Sequence, residues 1–453
     1  MHSSQRRITS KEEWEERRRL YGERWRSLPN SARVPGQLAG RAAVGCGATH
    51  HVMERCNFSC TCCYLGPQAN QTEPLPFEDV AAQLDEIRRR LGPRGKTQIT
   101  AGEVTLLPVD ELGRIVAYAR SIGLDPMVMT HGQRFLDEPE YLKRLVQEYG
   151  LEKISIHIDT TQRGRRSVGM VKEEGELTEV REQFATLIRD VRHETGCRLS
   201  AASTITVTED NVEQLADVVN WFYRNADAFR LLSFQPVANV GRTRRLHESA
   251  QVRDVLWKQV NRASGRPINE APLSFGHPEC NRTVPLLIVR SGERVRLFES
   301  VRSGNQFDAN VLSEAIDVFG NRVRWAESLG INVWRTLVCL LKHPRFLLKA
   351  VIYGIVRLVS EWRFFWGVLL DTVLKLKRTR ASIFLFVVHS FMDAKEMDTD
   401  IGKERLDACV FKVPVDGRFV SMCEMNASEL RRTIDSRLRK KKPSSKVIEE
   451  PGR

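Results

Sequence analysis

The sequence predicts an α/β fold in which short strands alternate with longer amphipathic helices. Apolar runs of strand length are separated by segments whose apolar residues recur at the helical period of 3.6 residues. Alternation of this kind is typical of parallel strands joined by right-handed helical crossovers. Six strand–helix units fit between residues 45 and 245, which makes this stretch the expected core of the protein.

The predicted elements follow one another in a regular order. A charged amphipathic helix begins at Lys11, and Pro29 and Pro35 end it. The first strand is predicted over residues 49–54 and leads directly into a cysteine-rich loop. The later strands are predicted at 97–100, 126–130, 153–159, 200–207 and 229–236, and the helices between them at 77–91, 109–122, 138–148, 178–195 and 211–225.

The cysteine-rich loop contains Cys56, Cys60 and Cys63 in the spacing C-x3-C-x2-C. Three thiolates at this spacing can hold one cubane iron–sulfur cluster from a single loop, and they leave one of its four irons without a protein ligand. Two alternatives stay open on spacing alone: Cys62 completes a four-thiolate zinc site, or the cysteines bind no metal. A disulfide is disfavoured because the sequence shows no secretory signal.

The spacing, together with Tyr64 directly after the last cysteine, resembles the radical S-adenosylmethionine (radical SAM) superfamily. The resemblance spans roughly residues 45–245 and implies a partial (β/α)6 barrel, with the chemistry at the C-terminal ends of its strands. It implies that Cys56, Cys60 and Cys63 hold a [4Fe–4S] cluster whose free iron binds SAM. The implied activity is reductive cleavage of SAM to a 5′-deoxyadenosyl radical, which takes hydrogen from an unactivated carbon. A flavodoxin or ferredoxin would supply the electron.

Two further motifs resemble the parts of this superfamily that bind SAM. After the second strand, Ala101-Gly102-Glu103-Val104 resembles the motif Gly-Gly-Glu-Pro, with Ala and Val at two of its positions. The match implies that Gly102 and Glu103 hold the SAM amino group, since an ammonium suits backbone carbonyls and a nearby carboxylate. After the third strand, Thr130-His131-Gly132 resembles the Thr-Asn-Gly turn of the superfamily.

Polar residues on the last three strands complete the predicted SAM site. Alternation along the fourth strand puts Ser155, His157 and Asp159 on one face, which is the lumen face of a barrel. The resemblance implies that a hydroxyl of the fifth strand binds the SAM carboxylate or ribose and that the sixth strand faces the adenine. The predicted SAM-binding residues are Gly102, Glu103, Thr130, Ser155, His157, Asp159, Ser203, Thr204 and Gln235.

The chain is basic, with a formal net charge of +13. Such a charge is typical of proteins that meet nucleic acid, acidic lipid or an anionic substrate, and it also serves solubility. Nucleic acid is not expected here, because the motifs predict SAM chemistry. Arg163, Arg165 and Arg166 follow the fourth strand and suit a phosphate or carboxylate, with a solvated loop as the alternative. Ten cysteines without a secretory signal predict a cytoplasmic protein.

Cysteines beyond the barrel predict a second metal centre. Cys280 follows His277, and Cys409 and Cys423 lie on either side of a turn at residues 414–418 that is typical of a hairpin. Each lies in a short polar stretch. We expect His277, Cys280, Cys409 and Cys423 to bind an auxiliary metal, iron–sulfur in kind, with separate buried thiols as the alternative.

A finer resemblance reaches beyond the barrel. Phe234-Gln-Pro-Val, Gly241-Arg242, His277-Pro-x-Cys280, Phe391-Met-Asp393 and Cys423-x-x-Asn426 look like the branch that contains archaeal tetraether lipid synthases and pterin-methylating enzymes. In that branch the radical acts on unactivated carbon and extra cysteines bind additional clusters. The resemblance therefore implies a lipid, isoprenoid or other small-molecule substrate.

The segment 331–391 is rich in large apolar and aromatic residues mixed with basic ones. It lacks the roughly 18 uncharged residues that a membrane-spanning helix needs. Arg345, Lys349, Tyr353, Arg357 and Glu361 recur every four residues and predict a polar ridge on a helix. Basic charge beside apolar surface is typical of a helix at a membrane interface. We therefore predict contact with the inner face of the membrane, with a helical cap over the barrel as the alternative.

The sequence thus predicts an α/β protein with a partial (β/α)6 radical SAM barrel, an N-terminal helical extension and a C-terminal α+β region containing amphipathic apolar helices. Three functions stay open: radical chemistry on a lipid or isoprenoid, radical modification or methylation of a soluble small molecule or peptide, and zinc binding without catalysis. The predicted divisions are a charged helical extension (1–44), the core barrel (45–245), a post-barrel region (246–330), an apolar and basic helical segment (331–391), a hairpin region (392–430) and a basic disordered tail (431–453).

Overall fold

A computed structural model describes residues 11–166, 168–243, 245–320, 329–374 and 379–440. One mixed sheet runs through the described chain. Its strands are β1 (Cys46–Ala48), β2 (Lys96–Ile99), β3 (Asp125–Thr130), β4 (Lys153–His157), β5 (Ser200–Val207), β6 (Phe229–Pro236), β7 (Asn281–Ser291), β8 (Arg294–Glu299), β9 (Thr379–His389), β10 (Phe411–Val415) and β11 (Arg418–Ser421).

The order of the strands confirms the predicted fold class. Across the sheet the order is β11-β10-β1-β2-β3-β4-β5-β6-β9-β7-β8, and β1 to β6 all pair in parallel. The sheet curls into a half-barrel. Because its six central strands are parallel and helices connect them, their C-terminal ends meet at one edge.

Helices connect and cover the strands. They are α1 (Lys11–Ser27), α2 (Phe77–Leu91), α3 (Val109–Ser121), α4 (Gln133–Asp137), α5 (Pro139–Gln147), α6 (Thr178–Thr195), α7 (Leu215–Arg224), α8 (Ser249–Ser264), α9 (Gln306–Phe319), α10 (Leu329–Lys342), α11 (Pro344–Ser360), α12 (Trp362–Leu369), α13 (Ala394–Met397), α14 (Asp400–Asp407), α15 (Met422–Ala427) and α16 (Leu430–Lys440). The predicted helices at 77–91 and 178–195 have the bounds of α2 and α6.

The largest core lies between the parallel strands and the helices outside them. Leu84 and Ile87 of α2 and Phe184 of α6 are fully buried against Val128 and Ile154 of the strands. Parallel strands are covered on their outer face in this way because each crossover lays a helix on the sheet. The opposite face of β4 and β5 is left to polar side chains.

The strand that precedes the cysteine-rich loop lies earlier than predicted. It is Cys46–Ala48 and not residues 49–54. Beyond it, the Thr49 N–H still donates to the Gln98 carbonyl at 3.0 Å, and Met53 forms an isolated parallel bridge with Gly102. His51 then has φ at 55°, which an extended strand cannot contain. The chain therefore leaves the sheet before the cysteines.

The C-terminal part of the segment predicted to be helical is a strand. Residues 379–389 form β9, which lies between β6 and β7 in the sheet. Phe384 and Phe386 are fully buried there. A run of β-branched and aromatic residues suits a strand covered on both faces. The predicted hairpin is present as β10 and β11, which extend the sheet beyond β1.

The tail predicted to be disordered begins as a helix. Residues 430–440 form α16, and residues 441–453 lie outside the described part of the chain. Arg431 donates to Glu54 Oε1 at 2.7 Å, and Asp435 Oδ1 lies 2.6 Å from His51 Nε2. All four side chains are nearly inaccessible to solvent. A buried ion pair and a buried histidine–carboxylate contact, one helical turn apart, fix this helix on the segment between β1 and the cysteine loop.

No helix among the described residues is long and apolar enough to cross a bilayer.

Candidate functional site

The cysteine loop follows β1 and lies at the edge where the parallel strands end. Cys56, Cys60 and Cys63 are all half-buried. Arg242, which follows β6, donates from Nη2 to Cys63 Sγ at 3.4 Å. Burial alone would lower the pKa of Arg242, but the thiols of Cys63, Cys56 and Cys60 outweigh it and raise that pKa. One guanidinium therefore lies within electrostatic reach of all three thiols.

The loop is held at several backbone positions. The Arg242 N–H donates to the Cys63 carbonyl at 2.7 Å, and the Thr61 N–H donates to the Thr161 carbonyl at 2.9 Å. Gly241 has φ at 57°, and a Cβ on it would lie 2.4 Å from the carbonyl carbon of Tyr64. Only glycine permits this approach of the two backbones. The cysteines are thus fixed by residues that follow β4 and β6.

The donor set fits a positively charged iron cluster. Burial raises the pKa of Cys56 to about 12 and raises the pKa of Cys60 even further. Thiols buried this way ionise readily only when a cation compensates their charge, and metal binding releases their protons. Within the described residues, no three His, Cys, Asp or Glu side chains lie close enough to hold a single metal ion. A four-iron cluster is larger than a single metal ion, so the thiolates that hold it lie farther apart.

Glu103 is the buried centre of the site. Its Oε1 accepts from Thr130 Oγ1 at 2.5 Å and from the Thr105 N–H at 3.1 Å. Its Oε2 accepts from the His131 N–H at 2.9 Å. Thr130 therefore positions Glu103, and Oε2 also lies 3.2 Å from the His131 ring nitrogen Nε2.

Gly102 lets the neighbouring backbones meet. Its φ is 63°, and a Cβ there would lie 2.1 Å from the Met53 carbonyl oxygen and 2.5 Å from that of Glu54. Gly102 therefore lies directly against the backbone of Met53 and Glu54, just before the cysteine loop. The Glu103 N–H donates to the Arg55 carbonyl at 2.9 Å and extends the same contact.

We expect Gly102→Ala to destabilise the protein and disorder the cluster loop. A left-handed alanine alone costs about 1–2 kcal/mol, and the clash with Met53 adds to that. Chemical denaturation and iron content after anaerobic reconstitution measure both effects. The matched control is Gly22→Ala in α1, where a Cβ meets no atom within 4 Å and alanine favours the helix. Equal stability of the two variants would contradict the expectation.

His131 connects Glu103 to the cysteine loop. Its ring stacks on Phe58 with the two ring centroids 3.7 Å apart, and its Nε2 lies 2.8 Å from Asn57 Oδ1. Both partners lie between Cys56 and Cys60. The sequence indicated a turn at Thr130 but did not predict that His131 contacts the cysteine loop. The one sequence feature that pointed to His131 was its position directly after β3.

The lumen face of β4 and β5 carries the predicted polar residues. Ser155 Oγ lies 3.1 Å from Thr204 Oγ1. His157 Nε2 contacts the Asp159 carboxylate and lies 3.2 Å from Thr206 Oγ1. Burial would raise the pKa of Asp159, but His157 and the hydrogen bonds of the carboxylate hold that pKa below its usual value.

Ser203 lies apart from that cluster, and Gln235 lies beside it. Ser203 is fully buried and donates from Oγ to the Ile156 carbonyl at 3.1 Å. Neighbouring residues in a strand point to opposite faces, so Ser203 and Thr204 do not share a surface. Gln235 is half-buried on β6 and pairs in register with Thr206.

Arg165 is a buried cation with unused donors. Its Nη2 donates to the carbonyls of His131 and His157, at 3.0 and 3.2 Å. Among the described residues, its Nε and Nη1 have no hydrogen-bond partner although they are buried. Burial lowers the pKa of Arg165 to about 10, against the opposing effect of Asp159, Cys60 and Glu103. Two buried donors without a partner among the described residues, in a guanidinium over the ring of Phe58 in the cluster loop, can receive an anionic group.

Cys62 has a partner outside the three cluster cysteines. Its Sγ lies 3.6 Å from His247 Nε2, and His247 Nδ1 lies 2.6 Å from Glu209 Oε2. Burial would raise the pKa of Glu209, but the contact with His247 outweighs it and holds that pKa near 2. Cys62, His247 and Glu209 therefore contact one another in sequence, which the spacing of the cysteines did not indicate.

The electrostatic surroundings of Cys423 include two of the other predicted auxiliary ligands. Burial and the thiols of Cys409 and Cys280 raise the pKa of Cys423 to about 12. Arg405 donates from Nε to Cys280 Sγ at 3.1 Å, as Arg242 does to Cys63. The charged neighbours of His277 are Glu404, Arg405 and Glu279, not the thiols.

Comparisons with known protein sequences agree with this geometry. Residues 51–223 match the sequence profile described as "Radical SAM superfamily". The chain is 25% identical over 193 residues to 7,8-dihydro-6-hydroxymethylpterin dimethyltransferase of Methanocaldococcus jannaschii. That match covers 42% of this chain and 36% of the relative, so the chain spans about a third of the relative's length.

Among solved structures, similarity is found to a histidine-tagged form of anSMEcpe with bound AdoMet and to native anSMEcpe with bound AdoMet and the Cp18Cys peptide. The identity is 13% in both cases, and the TM-scores are 0.31 and 0.30. Each match covers 42% of this chain and 50% of the other. Residues 51–223 are thus similar to the radical SAM superfamily, and the match covers less than half of the chain.

Proposed function

We propose that this protein reductively cleaves SAM at a [4Fe–4S] cluster held by Cys56, Cys60 and Cys63, and that the radical formed takes hydrogen from an unactivated carbon. The observation that carries the proposal is the arrangement around the thiols. Three half-buried cysteines share the edge of a parallel half-barrel with Glu103 and Arg165. When bound, the cluster supplies the electron that breaks the sulfonium bond, and a flavodoxin or ferredoxin reduces it.

The chain's own residues would hold the two charged ends of the methionine part of SAM. Oε2 of Glu103 and the backbone of Gly102 suit the ammonium. Nε and Nη1 of Arg165, which have no partner among the described residues, suit the carboxylate. Ser155, His157 and Thr204 line the neighbouring lumen face, where ribose and adenine would lie. Burial of these groups excludes water from the reacting atoms.

Anaerobic reconstitution with iron and sulfide, dithionite reduction and incubation with SAM test the proposal. We expect a brown protein that releases 5′-deoxyadenosine. A colourless protein that binds zinc and releases none would instead support a non-catalytic zinc protein. The zinc alternative needs Cys62 as the fourth thiolate ligand. In the structure the Cys62 thiol instead contacts His247.

For the substrate we propose a lipid or isoprenoid chain. The exposed apolar surface of α10 to α12 supports a substrate class found in membranes. The alternative is modification or methylation of a soluble small molecule or peptide, and the partial match to a pterin dimethyltransferase favours it. Product analysis with total lipid extract against a small-molecule extract separates the two, since only one should change mass in the presence of SAM.

We also propose a second iron–sulfur centre on Cys280, Cys409 and Cys423, next to Arg405. Two observations support it: Cys409 and Cys280 both raise the pKa of the buried Cys423, and Arg405 donates to Cys280 Sγ at 3.1 Å. We expect Cys409→Ala/Cys423→Ala to lose about four iron atoms per chain, with the radical cluster spectrum intact. His277→Ala serves as the control and should keep the iron. Unchanged iron in the double variant would contradict the second centre.

A further inference from the structure

Exposed apolar surface is concentrated in one small part of the protein. Twenty large apolar side chains are exposed in the described chain, and fifteen of them lie between residues 333 and 373. That segment is 41 residues of a chain of 453. Monomeric proteins seldom expose contiguous apolar patches of this kind unless they bind something there. The fifteen are Val333, Trp334, Leu337, Leu341, Leu348, Val351, Ile352, Ile355, Val356, Leu358, Val359, Trp362, Trp366, Leu369 and Val373.

Helix α11 packs on the protein through Phe346, which is buried in an apolar cluster, and through two polar residues. Arg357 is buried, and its Nη1 lies 3.3 Å from the Asp308 carboxylate. One turn earlier, Tyr353 donates from its hydroxyl to the Ser300 carbonyl at 2.5 Å. The outward positions are apolar: Leu348, Val351, Ile352, Ile355, Val356, Leu358 and Val359. A helix of a soluble domain normally turns its apolar stripe inward, so the outward face of α11 needs an apolar partner.

The polar ridge predicted on this helix therefore has an exposed part and an inward part. Arg345 and Lys349 are exposed, with Lys349 paired to Glu314 of α9. Tyr353, Arg357 and Glu361 are less exposed and bond to the protein. The inward residues dock α11 on α9 and β8, and the neighbouring helix α12 does the same through Phe364, which lies 5.5 Å from the ring of Phe298. These inward residues anchor α11 and α12 to the end of the sheet. The large apolar side chains named above stay exposed.

The charge on this outward surface is positive. Between residues 333 and 373, the exposed charged side chains are Lys342, Arg345, Lys349 and Arg363. Lys349 pairs with Glu314 of α9. The two acidic residues, Glu361 and Asp371, are only 18% and 3% exposed and pair with Arg266 and Arg296. An apolar face fringed by basic side chains complements an anionic bilayer surface.

Tryptophan marks the same surface. Trp334, Trp362 and Trp366 are 68%, 57% and 54% exposed. Trp362 and Trp366 lie one turn apart on α12, and the Arg363 guanidinium lies 5.7 Å from the Trp362 ring centroid. Indole rings favour the level of the lipid headgroups, and arginine beside them favours the phosphates. The one-turn spacing of Trp362 and Trp366 suits a helix that lies in the plane of the membrane interface.

We propose that the outward face of α10, α11 and α12 docks the enzyme on an anionic lipid bilayer, with these helices lying in the interface and not crossing it. At 17 residues, α11 is about 25 Å long, shorter than the apolar core of a bilayer. The basic fringe selects anionic over neutral lipid. The inference does not depend on the radical chemistry, because none of these side chains belongs to the cysteine site.

Flotation of the full chain with vesicles tests the proposal. We expect the protein to float with phosphatidylcholine vesicles that contain phosphatidylglycerol, to float much less with phosphatidylcholine alone, and to detach as salt rises. Lys342→Gln and Arg345→Gln should each weaken binding about fivefold. Trp362→Gln/Trp366→Gln should abolish flotation without changing 5′-deoxyadenosine release, which separates this test from that of the proposed function.

Two controls make the outcome decisive. Leu106→Gln/Leu246→Gln removes exposed apolar side chains outside the surface and should leave flotation unchanged. A chain ending at residue 440 lacks the basic stretch 441–453 and should still float. Absence of flotation, loss of it only on removing that stretch, or a dimer in light scattering that buries the surface and prevents flotation would each overturn the proposal.

Discussion

Replacing Cys56, Cys60 or Cys63 with alanine should reduce 5′-deoxyadenosine release to the level seen without enzyme. Each change removes one of three thiolates, and a cluster left with two protein ligands is lost or converted to a form that cannot bind SAM. The visible chromophore and the electron paramagnetic resonance signal of the reduced protein should fall with it. The effect is the largest expected here, because every later step needs the electron.

The matched control is Cys197→Ala. Cys197 precedes β5 and so lies at the opposite end of the strands from the cluster loop. It is half-buried, like the cluster cysteines. We expect its alanine variant to retain iron and activity. If any of the three loop variants kept wild-type iron and product, the cluster assignment would be wrong.

Arg165→Gln should weaken the binding of SAM strongly while the cluster still forms. A hydrogen bond to a charged group contributes about 1.5–3 kcal/mol, so the dissociation constant should rise about 10- to 100-fold. Arg165→Lys keeps the charge but not the planar pair of donors, and should give an intermediate effect. Equilibrium binding of SAM to the reconstituted, unreduced protein measures the change apart from chemistry.

Arg166→Gln is the control for this prediction. Arg166 has a 75% exposed side chain and pairs with Asp137 at 3.2 Å, so its loss should not change SAM binding. Iron content and thermal stability should be compared for both variants. A normal dissociation constant in Arg165→Gln with normal iron would remove Arg165 from the SAM site.

The local parts of the fold were predictable from the sequence. The bounds of α2, α6, β5 and β6 agree with the prediction, because helical and strand periodicity are properties of a few successive residues. The first strand was misplaced, since the short run Cys46–Ala48 carries almost no pattern of its own. Residues 379–389 were predicted within a helical segment because their pairing with β6 and β7 is not visible locally.

The candidate site was only partly predictable for the same reason. Alternation put Ser155, His157 and Asp159 on one face of a strand, and spacing put three cysteines in one loop. Ser203 and Thr204 were both candidates for one predicted hydroxyl contact, and as adjacent strand residues their side chains face opposite sides of the sheet. The SAM contacts of these residues stay a prediction.

The sequence by itself determined the three-cysteine loop, the alternation of strands and helices and the apolar, basic segment near residue 350. Only the tertiary structure decided that Arg242 and Arg405 each lie against a thiol, and that Arg165 has buried donors without a partner in the described chain. It also decided that seven large apolar side chains of α11 are exposed. The reason is that backbone geometry fixes patterns over a few residues. Contacts such as that of Arg405 with Cys280 join residues far apart in the chain, and packing of the whole sheet sets them.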